Sequence, residues 1–277
     1  MQGEHTARMK TALAIMLGTL LCITTKPARC EEAPTVEGFA WNVVGTLPHD
    51  VTHFTQGFEV FGDRIFESSG GYGRSALYEL SRESGSVLRK HDIVHNLFAE
   101  GLTVFDDHIF VLSWLQRVAI RFNLSLEPQG LIRYSGEGWG LTHDGARLIM
   151  SNGNSQLQFK DPATFQTIGN IEVRDRSGPV HRLNELEYVD GLIYANVWKD
   201  DRIAVIDPSN GSVVRWIDMS ALQHRFSKPP GWDPDEHVLN GIAYDPIRNV
   251  FLVTGKCWPH IFLVKQSGDP RTVRRAR

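Results

Sequence analysis

Residues 183–217, LNELEYVDGLIYANVWKDDRIAVIDPSNGSVVRWI, contain four short apolar segments separated by polar turns. Asp190-Gly191 separates the first two segments, and Asp207-Pro208-Ser209-Asn210-Gly211 separates the last two. Short apolar segments joined by turns of this composition are typical of antiparallel β-strands. The stretch therefore predicts one four-stranded antiparallel unit.

The beginning of this unit recurs along the chain. Each copy starts with a polar residue or Trp, usually followed by Gly and then by an apolar residue, and it continues into a turn and a second strand. The starts lie between 39 and 56 residues apart. They are Gln56-Gly57-Phe58, Glu100-Gly101-Leu102, Trp139-Gly140-Leu141, Asn184-Glu185-Leu186 and Asn240-Gly241-Ile242. Repeats of this kind predict an all-β fold, a five-bladed β-propeller, because a β-sandwich accommodates five copies of one unit poorly.

The two ends of the repeat region complement each other. After Asn240 the sequence supplies only three strands, whereas residues 39–44 form an extra apolar segment before the first repeat. Pairing this segment with the last blade removes two exposed sheet edges. We therefore predict that an N-terminal strand closes the last blade. The propeller domain is expected to span residues 36–265 and to be followed by a polar, basic and disordered tail at residues 266–277.

The first 30 residues have the layout of a secretory signal peptide. Arg8 and Lys10 precede an apolar run at residues 11–23, and small and polar residues follow. The run is shorter than the roughly 20 residues that a helix needs to cross a bilayer. We expect residues 1–30 to be removed and the protein to be exported to the periplasm or secreted. An uncleaved anchor is the alternative.

Charge and cysteine content narrow the classes of partner. The 277 residues carry a formal net charge of −3, which gives no strong field for nucleic acid or anionic lipid. Cys257 is the one cysteine clearly inside the expected mature domain, so a disulfide framework is not what holds it together. We expect a monomer that binds neither nucleic acid nor, after processing, a membrane.

Two sets of unusual residues are predicted to meet at one end of the propeller, because the first strand of each blade starts there and the second strand returns there. The first-strand set is Gln56, Glu100, Trp139, Asn184 and Asn240. The second-strand set is Gly70, Trp114, Gly153, Trp198 and Lys256. Polar groups near a propeller axis are costly unless they are paired or functional, and indole walls with few polar groups are typical of a ligand pocket. Three tryptophans beside a lysine favour a pocket over plain core packing.

Glu67 is the carboxylate that stands out, because it lies inside the apolar strand Ile65-Phe66-Glu67-Ser68-Ser69. Burial disfavours the ionised form of a carboxyl group and is expected to raise its pKa towards neutrality, which suits a general acid/base. The alternative is a structural glutamate that is bonded to nearby hydroxyls and backbone groups.

Several motifs, taken together, resemble the plant and bacterial glutaminyl cyclotransferases, the glutamine cyclotransferase family. The resemblance extends from about residue 39 to residue 265. The motifs are Phe54-Thr55-Gln56-Gly57, Phe66-Glu67-Ser68-Ser69-Gly70, Gly138-Trp139-Gly140-Leu141-Thr142, Leu183-Asn184-Glu185-Leu186-Glu187, Leu239-Asn240-Gly241-Ile242 and Thr254-Gly255-Lys256-Cys257-Trp258-Pro259. Members of this family are five-bladed propellers, in agreement with the repeat count.

The resemblance implies a glutaminyl-peptide cyclotransferase, an acyltransferase of the aminoacyl type that converts the N-terminal Gln of peptides or proteins to pyroglutamate and releases ammonia. The carboxylate of the family's E-S-T-G motif corresponds to Glu67, which is thereby the implied catalytic general acid/base. The implied substrate-binding residues, with Trp139 added from the pocket set, are Phe54, Gln56, Phe66, Trp114, Trp139, Asn184, Trp198 and Lys256. Neither a cofactor nor a metal is implied. Ser69 and Gly71 replace residues that are often Thr and Leu in the family, which is a mild departure.

Two other functions stay open on the sequence. A metal-dependent, lactonase-like hydrolase would use Glu100, Asn184 and Asn240 as oxygen ligands, although one carboxylate supplies little charge for a tight site. A non-catalytic exported propeller that binds peptides would keep the tryptophan pocket without an acid at Glu67. The insertion at residues 219–237 either covers the pocket or is an inert surface loop.

Overall fold

The computed structural model describes residues 40–267. The strands are, in chain order, β1 (Ala40–Pro48), β2 (Thr55–Phe61), β3 (Arg64–Ser69), β4 (Ala76–Ser81), β5 (Val87–Asp92), β6 (Ala99–Phe105), β7 (His108–Ser113), β8 (Val118–Asn123), β9 (Pro128–Arg133), β10 (Leu141–His143), β11 (Leu148–Met150), β12 (Gln156–Lys160), β13 (Thr167–Glu172), β14 (Arg174–Asp175), β15 (Gly178–Pro179), β16 (Leu183–Val189), β17 (Leu192–Val197), β18 (Arg202–Ile206), β19 (Val213–Asp218), β20 (Leu239–Asp245), β21 (Val250–Gly255) and β22 (His260–Ser267). A short 3-10 helix, Ser220–His224, follows β19.

The strands form a five-bladed propeller, which confirms the predicted fold. Blades 1 to 4 have the strand orders β2-β3-β4-β5, β6-β7-β8-β9, β10-β11-β12-β13 and β16-β17-β18-β19, whereas β14 and β15 form a separate two-stranded hairpin. The first strands of neighbouring blades contact one another around the axis, including β2 with β20. The inner strands are buried and the outer strands, such as β5 and β9, are mostly exposed.

The N-terminal strand closes the last blade, as predicted. Blade 5 has the order β1-β22-β21-β20, and β1 pairs with β22 from Ala40 opposite Ser267 to Pro48 opposite His260. The last strand thus runs two residues past the predicted boundary at residue 265. The predicted signal peptide, residues 1–30, and the rest of the predicted tail, residues 268–277, lie outside the described residues. Within residues 40–267, no helix combines the length and apolar character that a membrane span requires.

Tight turns join the first two strands of the blades at the positions that the sequence indicates. Asp106 and Asp107 have φ values of 47° and 59°, and Asp190 and Gly191 have φ values of 50° and 84°. Two consecutive residues with positive φ are the mark of the turn whose twist matches an antiparallel hairpin. Asp and Gly tolerate that conformation better than other residues do.

Candidate active site

The first strands of four blades depart from regular pairing at the end where the pocket is predicted. Pairing skips from Thr55 to Gly57 in blade 1 and from Ala99 to Leu102 in blade 2, and the same irregularity occurs in blades 4 and 5. A bulge bends a strand and re-aims the side chain beside it. The residues at these irregularities include Gln56, Glu100, Asn184 and Asn240.

Glycines next to these residues let the inner strands approach closely. A Cβ atom on Gly101 would lie 2.5 Å from the Trp139 carbonyl oxygen and 2.6 Å from the Gly140 Cα. A Cβ atom on Gly140 would lie 2.0 Å from the Asn184 carbonyl oxygen. No side chain fits at either place, so the repeated glycine is what allows the strands, with their polar neighbours, to converge on the axis.

The polar residues of the first strands form a dry floor at this end of the axis. Gln56, Glu100, Asn184 and Asn240 are all buried. The Asn240 side-chain amide donates to the Thr55 carbonyl oxygen at 2.9 Å and lies 3.4 Å from the Gln56 Oε1. Among the described residues, the buried Oδ1 atoms of Asn184 and Asn240 have no hydrogen-bond partner. A buried acceptor without a partner is costly, so these two atoms are suited to N–H groups of a ligand.

Aromatic rings form the wall around this floor. The Phe98 ring lies 6.3 Å from that of Phe54 and 5.7 Å from that of Trp114, and the Trp139 and Trp198 rings meet edge to face at 6.0 Å. The three tryptophans are half-buried, as expected of a pocket wall. The predicted tryptophan cluster is therefore present, with Phe98 as an additional member.

Glycines of the second-strand set make room for two of these rings. A Cβ atom on Gly70 would lie 2.3 Å from the Phe98 ring, and one on Gly153 would lie 2.6 Å from the Trp139 indole. These positions lack side chains because rings from other parts of the wall lie over them.

Glu137 links two of the indoles. Its Oε2 atom accepts hydrogen bonds from the Trp114 Nε1 at 2.8 Å and from the Trp139 Nε1 at 3.0 Å. One carboxylate oxygen thus fixes the orientation of two wall residues from adjacent blades. It also places a negative charge at the edge of the pocket.

Glu100 and Lys256 are the ionisable pair of the pocket. The Lys256 Nζ lies 4.7 Å from the centre of the Phe54 ring, and burial lowers the pKa of Lys256 although the charge of Glu100 opposes this. Burial raises the pKa of Glu100 well above its usual value of 4.5; Lys256 lowers it in part and Glu137 raises it further. A carboxyl group whose pKa is raised in this way can exchange a proton near neutral pH.

Glu67 lies in a different environment from the one expected. Its carboxylate contacts the imidazoles of His49, at 3.1 and 3.2 Å, and of His53, at 2.9 Å, and it accepts a hydrogen bond from the Thr55 hydroxyl at 2.7 Å. Burial alone would raise the pKa of Glu67, but the two imidazoles lower it well below its usual value. The expected upward shift of this pKa is therefore wrong, because two basic partners outweigh the loss of water.

The structure brings most of the predicted site residues together but separates two of them. Seven of them surround the pocket: Phe54, Gln56, Trp114, Trp139, Asn184, Trp198 and Lys256. Phe66 is instead fully buried in the core cluster that contains Leu77 and Leu102. Its neighbour Glu67 has the histidine contacts described above, because successive side chains of a strand point to opposite faces. Both residues lie outside the ring of pocket side chains, which corrects their predicted grouping with the indoles and Lys256.

Phe98 and Glu137 are pocket residues that the sequence reasoning missed. A repeat of the motif could have revealed the first, since Phe98-Ala99-Glu100-Gly101 matches the pattern of Phe54-Thr55-Gln56-Gly57. This match also places Glu100 where blade 1 has Gln56. Glu137 occupies the same position of the repeat, two residues before the Trp139 that starts blade 3, but its role depends on the two indoles that it contacts.

The insertion at residues 219–237 packs against blade 5. The Phe226 ring lies 5.2 Å from that of Trp258, and the Trp258 Nε1 donates to the His237 carbonyl oxygen at 2.9 Å. Glu236 belongs to the charged groups that raise the pKa of Lys256 against the effect of burial. The insertion therefore borders the lysine side of the pocket.

A cavity of about 540 Å³ lies at the opposite end of the propeller. Glu59 and Glu187 line it together with the turns between inner strands. Burial raises the pKa of Glu59 to about 7. Size alone does not make this cavity the better candidate, because the indoles, the lysine and the unpartnered amide oxygens are all at the other end.

A closed propeller with a dry polar floor inside an aromatic wall belongs to the class of propellers with a small-molecule or peptide-end pocket on the axis. Comparison with known proteins specifies the family. The model of the glutamine cyclotransferase family matches residues 13–266, and the chain therefore belongs to this family.

Two relatives agree with this assignment. A glutaminyl-peptide cyclotransferase of Arabidopsis thaliana is 37% identical over 226 residues, which cover 80% of this chain and 70% of the relative. The crystal structure of the Myxococcus xanthus glutaminyl cyclase superposes with a TM-score of 0.75 at 35% identity, covering 83% of this chain and 97% of that one. Membership of the glutamine cyclotransferase family favours glutamine cyclisation over the lactonase-like hydrolysis that the sequence left open.

Proposed function

We propose that this protein is a glutaminyl-peptide cyclotransferase, an acyltransferase of the aminoacyl type that converts the N-terminal Gln of peptides or proteins to pyroglutamate and releases ammonia. The observation that carries the proposal is that Glu100 and Lys256 are both buried beside the aromatic wall and that their charges interact. The activities named for the Arabidopsis and Myxococcus relatives support it.

The pocket suits a single glutaminyl residue. The reaction requires the α-amine to reach the side-chain carbonyl carbon of the same residue, so the side chain must be folded back. Trp114, Trp139 and Trp198 would restrict the side chain to such folded rotamers. Because the nucleophile is tethered to its target, correct orientation supplies a large part of the rate enhancement.

We assign the proton transfer to Glu100 and not to Glu67. The α-amine nitrogen attacks the carboxamide carbon and forms the ring C–N bond, while the Glu100 carboxylate accepts the proton that this nitrogen releases. The tetrahedral intermediate then collapses, the bond to the former amide nitrogen breaks, and Glu100 returns the proton to the leaving ammonia. The proton balance closes without any external co-reactant.

The remaining floor residues would bind the groups that change charge. The Lys256 ammonium can stabilise the negative oxygen of the tetrahedral intermediate. The free Oδ1 atoms of Asn184 and Asn240 can accept hydrogen bonds from the amine and amide nitrogens of the substrate. Glu137 would hold two indoles in place and keep the pKa of Glu100 high.

Glu67 receives a structural role in this proposal. A carboxylate whose pKa is lowered by two imidazoles is a weak base, and a group with that pKa is poorly matched to proton transfer near neutral pH. Its partners His49 and His53 come from the connection between β1 and β2, so the carboxylate ties this connection to β3.

The layout of residues 1–30 leads us to propose that the protein acts after export, on peptides or proteins outside the cytoplasm. Only the first residue of such a substrate has to enter the pocket.

The experiment that tests the function measures ammonia release from a Gln-initiated dipeptide by the purified protein. The matched control is the Asn-initiated dipeptide, whose shorter side chain cannot close the five-membered ring. We expect ammonia from the first substrate only. A folded protein that binds the Gln dipeptide but releases no ammonia would support the non-catalytic alternative.

A further inference from the structure

The most unusual group of side chains outside the pocket is the trio His49, His53 and Glu67. The side chains of all three are buried, and each offers a ligand atom that lies within 4.8 Å of the others. The trio lies where blade 1 meets blade 5. His49 directly follows the closing strand β1, His53 precedes β2, and Glu67 belongs to β3.

The hydrogen bonds of His49 restrict what its ring can be. Its Nδ1 lies 2.7 Å from the Trp258 carbonyl oxygen, which can only accept, so Nδ1 carries a proton. Its Nε2 lies 3.1 and 3.2 Å from the two oxygens of Glu67, and an ionised carboxylate also only accepts. The ring is consequently either a doubly protonated imidazolium or a neutral imidazole whose Nε2 lone pair faces a cation shared with Glu67.

The surroundings match those of a metal-binding histidine. Such a histidine usually donates its other ring N–H to a carbonyl or carboxylate oxygen, as His49 does to Trp258. The ligating carboxylate is usually hydrogen-bonded as well, as Glu67 is by the Thr55 hydroxyl at 2.7 Å. Two imidazoles and one carboxylate are a known donor set for zinc. Donor atoms around a tetrahedral zinc ion lie roughly 3.3 Å apart, close to the separations of 2.9 to 3.2 Å between the Glu67 oxygens and the imidazole nitrogens.

A surface cleft reaches the two histidines of the trio. A cleft of about 270 Å³ is lined by His49, His53 and Asp50 together with residues near the turn between β4 and β5. The Asp50 carboxylate interacts with both imidazoles, and its charge makes the cleft favourable for a cation. Water from this cleft can occupy a fourth coordination position.

From these observations we propose that His49, His53 and Glu67 bind one zinc-like divalent transition-metal ion, which fastens the closing strand β1 and blade 5 to blade 1. The ion would be structural, because its ligands are separate from the Glu100–Lys256 pair. Binding of the ion does not depend on the proposed function, whereas its structural role does, because that role assumes proton transfer by Glu100.

The test uses the full-length protein after its metal has been removed with EDTA and the chelator has been dialysed away. Zinc chloride is titrated by calorimetry and the melting temperature is measured with and without zinc. We expect one zinc ion per chain and a rise in melting temperature of roughly 5 to 10 °C at a free zinc concentration 100 times the dissociation constant. Calcium chloride serves as a control and should not produce this rise.

His53→Ala should weaken zinc binding at least about 100-fold, whereas His181→Ala, which removes an exposed histidine, should leave it unchanged. Equal zinc binding by His53→Ala and the wild type would overturn the proposal, as would the absence of stoichiometric binding by the wild type.

If His53→Ala does not fold, nitrogen NMR of the His49 ring in the wild type decides between the two states. Zinc should leave Nε2 without a proton. Two protonated ring nitrogens in the presence of saturating zinc would show that a proton, and not a metal ion, holds the trio together.

Discussion

Replacing Glu67 and Glu100 by glutamine, one at a time, distinguishes the roles of these two carboxylates most sharply. Glu100→Gln keeps the shape of the side chain and removes its capacity to carry a proton between two nitrogens. General acid/base catalysis contributes about 10²- to 10⁴-fold, so kcat should fall by about this factor, equivalent to about 3 to 5 kcal/mol of transition-state stabilisation. The Michaelis constant should change much less, because the floor and wall of the pocket stay in place.

The stability of the two variants should change in opposite directions. The pKa of Glu100 is raised in the folded state. The contribution of Glu100 to the free energy of unfolding is therefore fully present below the ordinary pKa of 4.5 and is lost as the pH rises through the raised pKa. Glu100→Gln lacks this loss and should be at least as stable as the wild type at neutral pH. Glu67→Gln instead removes the carboxylate that two buried imidazoles contact, and the loss of one partner from such a buried group costs about 3 to 5 kcal/mol.

The assay combines ammonia release, normalised to folded protein, with thermal unfolding of both variants. Glu67→Gln should melt lower by roughly 6 to 20 °C and, below its melting range, should retain turnover within a few-fold of the wild type. The opposite pattern would refute the assignment of the proton transfer to Glu100: loss of turnover in a stable Glu67→Gln protein together with retained turnover in Glu100→Gln.

Three further predictions address the pocket. Glu137→Gln can still accept both indole hydrogen bonds with one oxygen, so it removes only the charge that raises the pKa of Glu100. The acid limb of its pH profile of kcat/KM should therefore move to lower pH. Glu137→Ala should in addition raise KM, because it releases the two indoles. An unchanged profile in Glu137→Gln would exclude this charge effect. Lys256→Met should lower kcat about 10²- to 10³-fold if the ammonium stabilises the oxyanion, and a loss confined to KM would assign it to substrate binding alone. Gly153→Ala places a Cβ 2.6 Å from the Trp139 indole and should raise KM. The control is Gly145→Ala, which has a similar positive φ but open space around it and should affect only stability. Equal KM values for the two variants would contradict a role of Trp139 in substrate binding.

Much of the architecture was predictable from the sequence because it depends on local patterns. Asp106-Asp107 and Asp190-Gly191 are turn residues whose backbone preferences act over two positions. The repeated glycine and the alternation of apolar residues follow from the geometry of the inner strand. The surplus strand at the N-terminus could be matched to the missing strand of the last blade simply by counting.

The chemistry of the two carboxylates was not predictable in the same way. Glu67 and Glu100 are both single acids among apolar strand residues, and burial raises the pKa of either one by itself. Their partners decide the outcome. Glu67 meets two imidazoles from the β1–β2 connection, whereas Glu100 meets a lysine from blade 5 and a second carboxylate from the approach to blade 3.

The sequence by itself thus determined the number of blades, the way in which the ring closes and the set of tryptophans at one end. Only the tertiary structure decided which glutamate shares the pocket with Lys256 and which is held by histidines. The physical reason is that electrostatic interactions depend on distances between side chains from different blades, and these distances exist only once the propeller has closed.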